Sequence, residues 1–132
     1  MRTRLYKALS EYAPLLEVVQ DRIIEASAIG TDLYPGVPER PFVTYRMHTD
    51  FPVRSVGRRE YAQVWANDDP GDYLRIDKIL EFCRRAVESI QPAEDFLEAR
   101  WVETGVDLKD DAMGTINRYI RFQITGSLRE RE

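Results

Sequence analysis

Residues 61–82 read YAQVWANDDPGDYLRIDKILEF, and the reading of the join in the middle decides the fold. The opening residues alternate, with Tyr61, Gln63 and Trp65 set against Ala62, Val64 and Ala66, which is the period of a strand with one dry face. Beyond the join, Ile76, Ile79, Leu80, Cys83, Ala86, Val87 and Ile90 recur at spacings of three and four, so one face of a helix is apolar. Asp68, Asp69 and Asp72 crowd the segment between. Such carboxylates suit a cation site, an acid/base pair or an anionic contact, but Pro70 and Gly71 favour a strand-to-helix corner. Asp69 or Asp72 then serves as the N-cap, where the helix dipole favours negative charge.

Working outward, the helix opposes its apolar face with Arg75, Asp77, Lys78, Glu81, Arg84, Arg85 and Glu88. Glu81/Arg85 and Asp77/Glu81/Arg84 lie at distances where helix side chains meet. Pro92 stops the helix. Upstream, Leu5, Ala8, Leu9 and Tyr12 imply a short amphipathic helix over residues 2–12. Pro14 opens a second helix carrying Leu15, Leu16, Val18 and Val19. RIIEA at 22–26 is β-branched enough for a short strand. Residues 29–41 are too rich in proline and glycine for an element interior and form a surface loop.

In FVTYRMH, Val43, Tyr45 and Met47 share one face, with Phe42, Thr44, Arg46 and His48 on the other. This strand and the 59–66 strand make an antiparallel hairpin. Two further strands follow. FLEARWVET aligns Leu97, Ala99 and Trp101, and TINRYIRFQIT aligns Ile116, Ile120, Phe122 and Ile124 against Asn117, Tyr119, Arg121 and Gln123. GVDLKDDAMG between them reads as a polar turn, and the tail at 127–132 as a flexible end.

The order helix, helix, strand, hairpin, helix, hairpin predicts one α+β domain over residues 1–132. Its antiparallel or mixed sheet of four or five strands carries the helix at about 73–90 on one face. The other face is too rich in Tyr, Arg, Gln and Thr for a core, so it meets solvent or another subunit.

Several functions are excluded by composition. A chain of 132 residues with net charge −4 has no general drive toward nucleic acid, which is bound non-specifically through basic surface. No apolar run reaches the roughly 18 residues of a membrane span, and the N-terminus lacks the apolar region of a secretory signal. Cys83 is the single cysteine and His48 the single histidine, which rules out internal disulfides, multi-cysteine zinc sites and two-histidine metal motifs. His48 has Asp50 nearby but no nucleophile in a recognisable elbow, and reads as a strand-end polar residue. Cys83, on the apolar helix face, reads as buried and inert. The acidic loops Asp68/Asp69/Asp72 and Asp107/Asp110/Asp111 do not match an EF-hand, although an adventitious divalent ion remains open for either. Nothing selects a glycosidase pair from 23 acids. We therefore expect no catalytic residues, cofactor or resident metal. What stands out is a basic arm of Arg46, Arg54, Arg58 and Arg59, offset only by Asp50. Opposed to the acids of the two turns, it suits contacts between copies or with a partner.

Tyr34, Pro35, Gly36 and Pro38, then Pro41 through Tyr45, then Gln63 through Ala66, and finally Arg118, Phe122 and Ile124 form an ordered series. In order and spacing, over roughly residues 4–126, the series resembles the tail terminator proteins of long-tailed bacteriophages. EASAIGTDL, between Ile24 and Tyr34, departs from the pattern and leaves the register of the first strand open. The resemblance implies a virion structural protein at the tail–neck junction, assembled in the host cytoplasm. It implies a homomeric ring, usually of six copies, that caps the head-proximal end of the tail tube and stops its growth. The implied partners are further copies, the major tail tube protein and a head–tail connector or stopper, with DNA passing through the lumen and no membrane involved. A closed ring needs one patch to meet a different patch on its neighbour. Arg46, Arg54, Arg58 and Arg59 on one side and Asp68, Asp69, Asp107, Asp110 and Asp111 on the other are the candidates. A head-completion or neck adaptor is the alternative structural role, and a small intracellular enzyme the alternative class.

Overall fold

The computed structural model describes residues 2–49, 58–92 and 98–126. The elements are α1 (Arg2–Ser10), α2 (Ala13–Val19), β1 (Ile23–Glu25), β2 (Phe42–Thr49), β3 (Arg58–Asp68), α3 (Tyr73–Glu88), β4 (Glu98–Thr104), β5 (Leu108–Asp110) and β6 (Thr115–Gly126), with a 3-10 turn over Ala26–Ala28 after β1. The result is an α+β domain built on one mixed sheet in the order β1-β2-β3-β6-β4, with β5 also paired to β6. β1 runs parallel to β2, and the other pairings are antiparallel.

Alternation along the strands builds the core. Val43, Tyr45, Ala62, Val64, Ala66, Ile116, Ile120, Phe122 and Ile124 turn one sheet face inward. α3 covers it with Ile76, Ile79, Leu80, Cys83, Ala86 and Val87. α1 adds Leu5 and Leu9 and α2 adds Leu15 and Val19, so three helices share one side of the sheet. α2 carries its proline in the first turn, where the missing N–H costs nothing. None of the described helices is long and apolar enough to cross a membrane.

Two expectations need correction. The sheet has six strands, because the supposed polar turn at 105–114 contains β5, paired through Leu108↔Asn117 to Asp110↔Thr115. β5 lies at the rim with Leu108 and Lys109 exposed, so it needs no apolar alternation to announce it. Gly114, at φ +70°, closes the hairpin from β5 into β6 in a conformation that favours glycine. On the polar side of α3, Arg85 pairs with Glu81 at 3.0 Å as its spacing implies. Arg84 instead faces Glu88 at 3.4 Å and stacks 4.4 Å from the Trp101 ring, while Asp77 reaches across to Arg118 on β6. Leu97 and the 127–132 tail lie outside the described residues.

Candidate assembly interface

The sheet face away from the helices presents Arg46 from β2, Tyr61, Gln63 and Trp65 from β3, and Tyr119, Arg121 and Gln123 from β6, each exposed or half-buried. The aromatic rings are fixed by their neighbours. Trp65 and Tyr119 pack with ring centres 4.8 Å apart, and the Arg121 guanidinium lies 4.8 Å from the Tyr61 ring. Glu103 ties β4 into this surface, accepting a hydrogen bond from the Tyr119 hydroxyl at 2.9 Å and facing Arg121 at 3.5 Å. That hydrogen bond raises the Tyr119 hydroxyl above its ordinary pKa. Rigid aromatics set among arginines and amides are what protein contact surfaces favour.

Toward the start of β2 the same face closes. Phe42, Thr44, Asn67 and Asn117 are buried there, and the Arg40 side chain donates to the Met113 carbonyl. A hollow of about 340 Å³ remains, lined by residues that include Thr44, Arg46, Trp65, Asn67, Met113 and Asn117. The Asn67 amide donates to the Phe42 carbonyl and to Thr44 Oγ1 at 3.4 and 3.3 Å.

The expected contact residues fall into different environments. Arg46 is exposed and makes no ion pair among the described residues. Arg54 and Asp50 lie outside the described residues, as do the side chains of His48, Arg58 and Arg59. The backbones of Arg58 and Arg59 begin β3 opposite Gly126 and Thr125. Asp68 is fully buried, accepting two hydrogen bonds of 2.6 Å from Arg75 and one of 2.7 Å from the Asp69 N–H. The Asp68 hydrogen bond holds the Arg75 guanidinium above its ordinary pKa. Asp69 stays exposed, 3.7 Å from Arg40. Asp72 is the N-cap of α3 by position, but its side chain makes no cap hydrogen bond and faces Arg75 at 3.3 Å.

The three carboxylates of this corner come within 4.8 Å of one another. Arg75 already supplies positive charge to two of them, so the cluster has an internal counter-ion and reads as structural. In the second loop, Asp107 pairs with Arg118 at 3.0 Å and Asp110 accepts from the Met113 N–H at 3.1 Å, which leaves Asp111 exposed.

Arg118 is a hub that no local spacing in the sequence marks. It bonds Asp107 and, at 2.5 Å, Asp77, joining β6 to the β4–β5 connection and to α3. The Asp107 hydrogen bond raises its pKa. A parity argument finds it, because Arg118 falls between Ile116 and Ile120 on the helix-facing side of β6. Cys83 is fully buried, and burial alone pushes its thiol well above the ordinary range, so it is a poor nucleophile.

No family model and no curated protein matches the sequence. Among solved structures, a chain in the structure titled "Virion of native gene transfer agent (GTA) particle" superposes with a TM-score of 0.74, covering 96% of this chain and 93% of that one. The two sequences are 11% identical, so the likeness is one of fold.

Proposed function

We propose that this chain is a virion structural protein without catalytic activity, a tail terminator. It forms a ring, of six copies on the family pattern, at the head-proximal end of a tail tube. The ring halts tube growth and presents a surface to the head–tail connector or stopper. The observation that carries this reading is the fold likeness along nearly the whole length of both chains to a component of a virion particle. The ordered sequence series points to the terminator within that class. A sheet face of ordered aromatics and arginines supplies surface for subunit contact, and the Cys83 thiol is buried. A net charge of −4 per copy lets DNA pass the lumen without the phosphate binding that clustered lysine and arginine would produce.

Light scattering of the purified protein, alone and with tube protein, tests the reading. A discrete ring that caps and shortens growing tubes is expected, and a strict monomer with no effect on tube length overturns it. Reversing charge at Arg54, Arg58 and Arg59 together is expected to weaken assembly while leaving the unfolding midpoint nearly unchanged. A triple variant that assembles normally removes the arm from the interface.

A further inference from the structure

Among the described residues, both long edges of the sheet carry unpaired backbone, and they match each other. β1 pairs with β2 only from Val43 to Tyr45, the 3-10 turn at Ala26–Ala28 packs beside β2 just beyond, and no described residue forms a ladder pair with Arg46–Thr49 on that side. At the far edge, β4 pairs among the described residues with β6 alone. Following the register across the sheet links the two open edges row by row. Arg46 stands opposite Gln63, Gln63 opposite Arg121, and Arg121 opposite Glu103. The next row runs Met47, Ala62, Phe122, Trp101, and the next His48, Tyr61, Gln123, Arg100. The last runs Thr49, Glu60, Ile124, Ala99. The free half of β2 and the body of β4 therefore stand at the same height of the sheet. The alternating directions also make β4 antiparallel to β2.

We propose that neighbouring copies join edge to edge, the outer edge of β4 on one copy pairing antiparallel with Arg46–Thr49 of β2 on the next. This rests on the ring reading above and assigns its two contact patches. Continued without axial offset, the rows place Arg46 opposite Glu103 of the next copy on the open face. They place Met47 opposite Trp101 on the helix side. Both pairings are complementary. Arg46 has no ion pair among the described residues, and the Glu103 side chain is 46% exposed with acceptor capacity to spare. Met47 is half-buried and Trp101 is 37% exposed, and a thioether packs well against an indole.

A second copy is the occupant that the edges themselves specify, since direction, height, charge and apolar character match between two edges of one chain. The contact is heterologous, as a closed ring requires. β4 has no proline, and Glu98–Trp101 run in regular register, the shift falling between Trp101 and Glu103.

Paired cysteines test this directly. Directly opposed residues of an antiparallel pair have Cα atoms about 4.5–5.5 Å apart, inside the range of about 4.4–6.8 Å that a disulfide spans. Oxidation of the double variant Arg46→Cys/Glu103→Cys is expected to give a ladder of covalent multimers ending at the ring size. Each single variant is expected to stay unlinked, with buried Cys83 taking no part. In a second measurement, Arg46→Glu or Glu103→Arg alone is expected to weaken association about tenfold per contact, and the two together to restore it. Rings that form by light scattering but neither cross-link nor respond to the swap overturn the edge pairing and leave the terminator reading intact. Cross-linked dimers from a single variant overturn it in favour of a two-fold contact. A wild-type chain that is monomeric alone and on tube ends removes the ring reading and the edge pairing with it.

Discussion

Arg75→Ala is expected to cost about 3–5 kcal/mol of folding stability, more than any other change to a charged residue in the described fold. The reason lies in Asp68, not in the arginine. Asp68 is the last residue of β3, and alternation from Ala62, Val64 and Ala66 turns it inward, where its carboxylate is fully buried. Arg75, in the first turn of α3, answers it with two 2.6 Å hydrogen bonds while its own side chain stays 40% exposed. Removing the arginine leaves a buried charge with the Asp69 N–H as its one remaining hydrogen bond among the described residues. Asp68→Asn is the milder change, at about 1–2 kcal/mol, because the stranded guanidinium can return to water and the amide oxygen still accepts. Arg75→Lys should fall between the two, since an ammonium cannot present the planar fork. Urea unfolding of the three variants gives the order. An Asp68→Asn variant less stable than Arg75→Ala would show that burial of the carboxylate is not what sets the energetics of this corner.

The same residue shows how far the sequence could be read. The alternation in YAQVWA and the three-four spacing after Ile76 placed β3 and α3 correctly, because each pattern belongs to one element and needs no knowledge of its neighbours. Read from the sequence, the strand ends at Ala66, because NDDPGD has the chemistry of a turn. Two more steps of the same period reach Asp68 and mark it as an inward acid in need of a cation. Arg118 follows the same logic on β6. Its partners Asp107 and Asp77 lie 11 and 41 residues away, separations at which no local spacing rule operates. β5 escaped notice because a short rim strand has no dry face to advertise.

The candidate contact surface was legible in part. The polar, aromatic alternation of β3 and β6 is visible as a face unsuited to a core, and among the described residues nothing covers that face over most of its length. The opposition of basic arm and acidic turns is altered by the fold, since Asp68 and Asp107 are bound to Arg75 and Arg118 inside the chain. Glu103 and Trp101 were not singled out as contact residues. Their relation to Arg46 and Met47 depends on the combined register of four strands, and no single-strand periodicity contains it.

Phe122→Ala should be the most damaging core truncation, and its contrast with Trp101→Ala separates folding from assembly within one row of the sheet. Phe122 is fully buried on β6, with Ala62 beside it on β3 and Trp101 on β4. Ala62 is too small to fill the space that the ring leaves, so the cavity term adds to the lost transfer energy. The expected cost is about 3–5 kcal/mol, a large share of the roughly 5–15 kcal/mol that holds a domain together. Trp101 sits at the end of the same row, over one-third exposed, with the Arg84 guanidinium 4.4 Å from its ring. Losing that stack should cost only about 1 kcal/mol of folding. In the proposed ring the order reverses. A Phe122→Ala chain that still folds keeps both edges, and assembly stabilises it by mass action, so its unfolding midpoint should rise with protein concentration. A Trp101→Ala chain should fold nearly as well as the parent, yet lack the group proposed to face Met47 of its neighbour, and its ring fraction should fall at every concentration. Unfolding followed at a concentration too low for assembly, beside light scattering at a high one, measures both quantities. Equal assembly by the Trp101→Ala variant and the parent would mean that the edge tryptophan serves the fold alone, and would leave Arg46 and Glu103 to carry the contact.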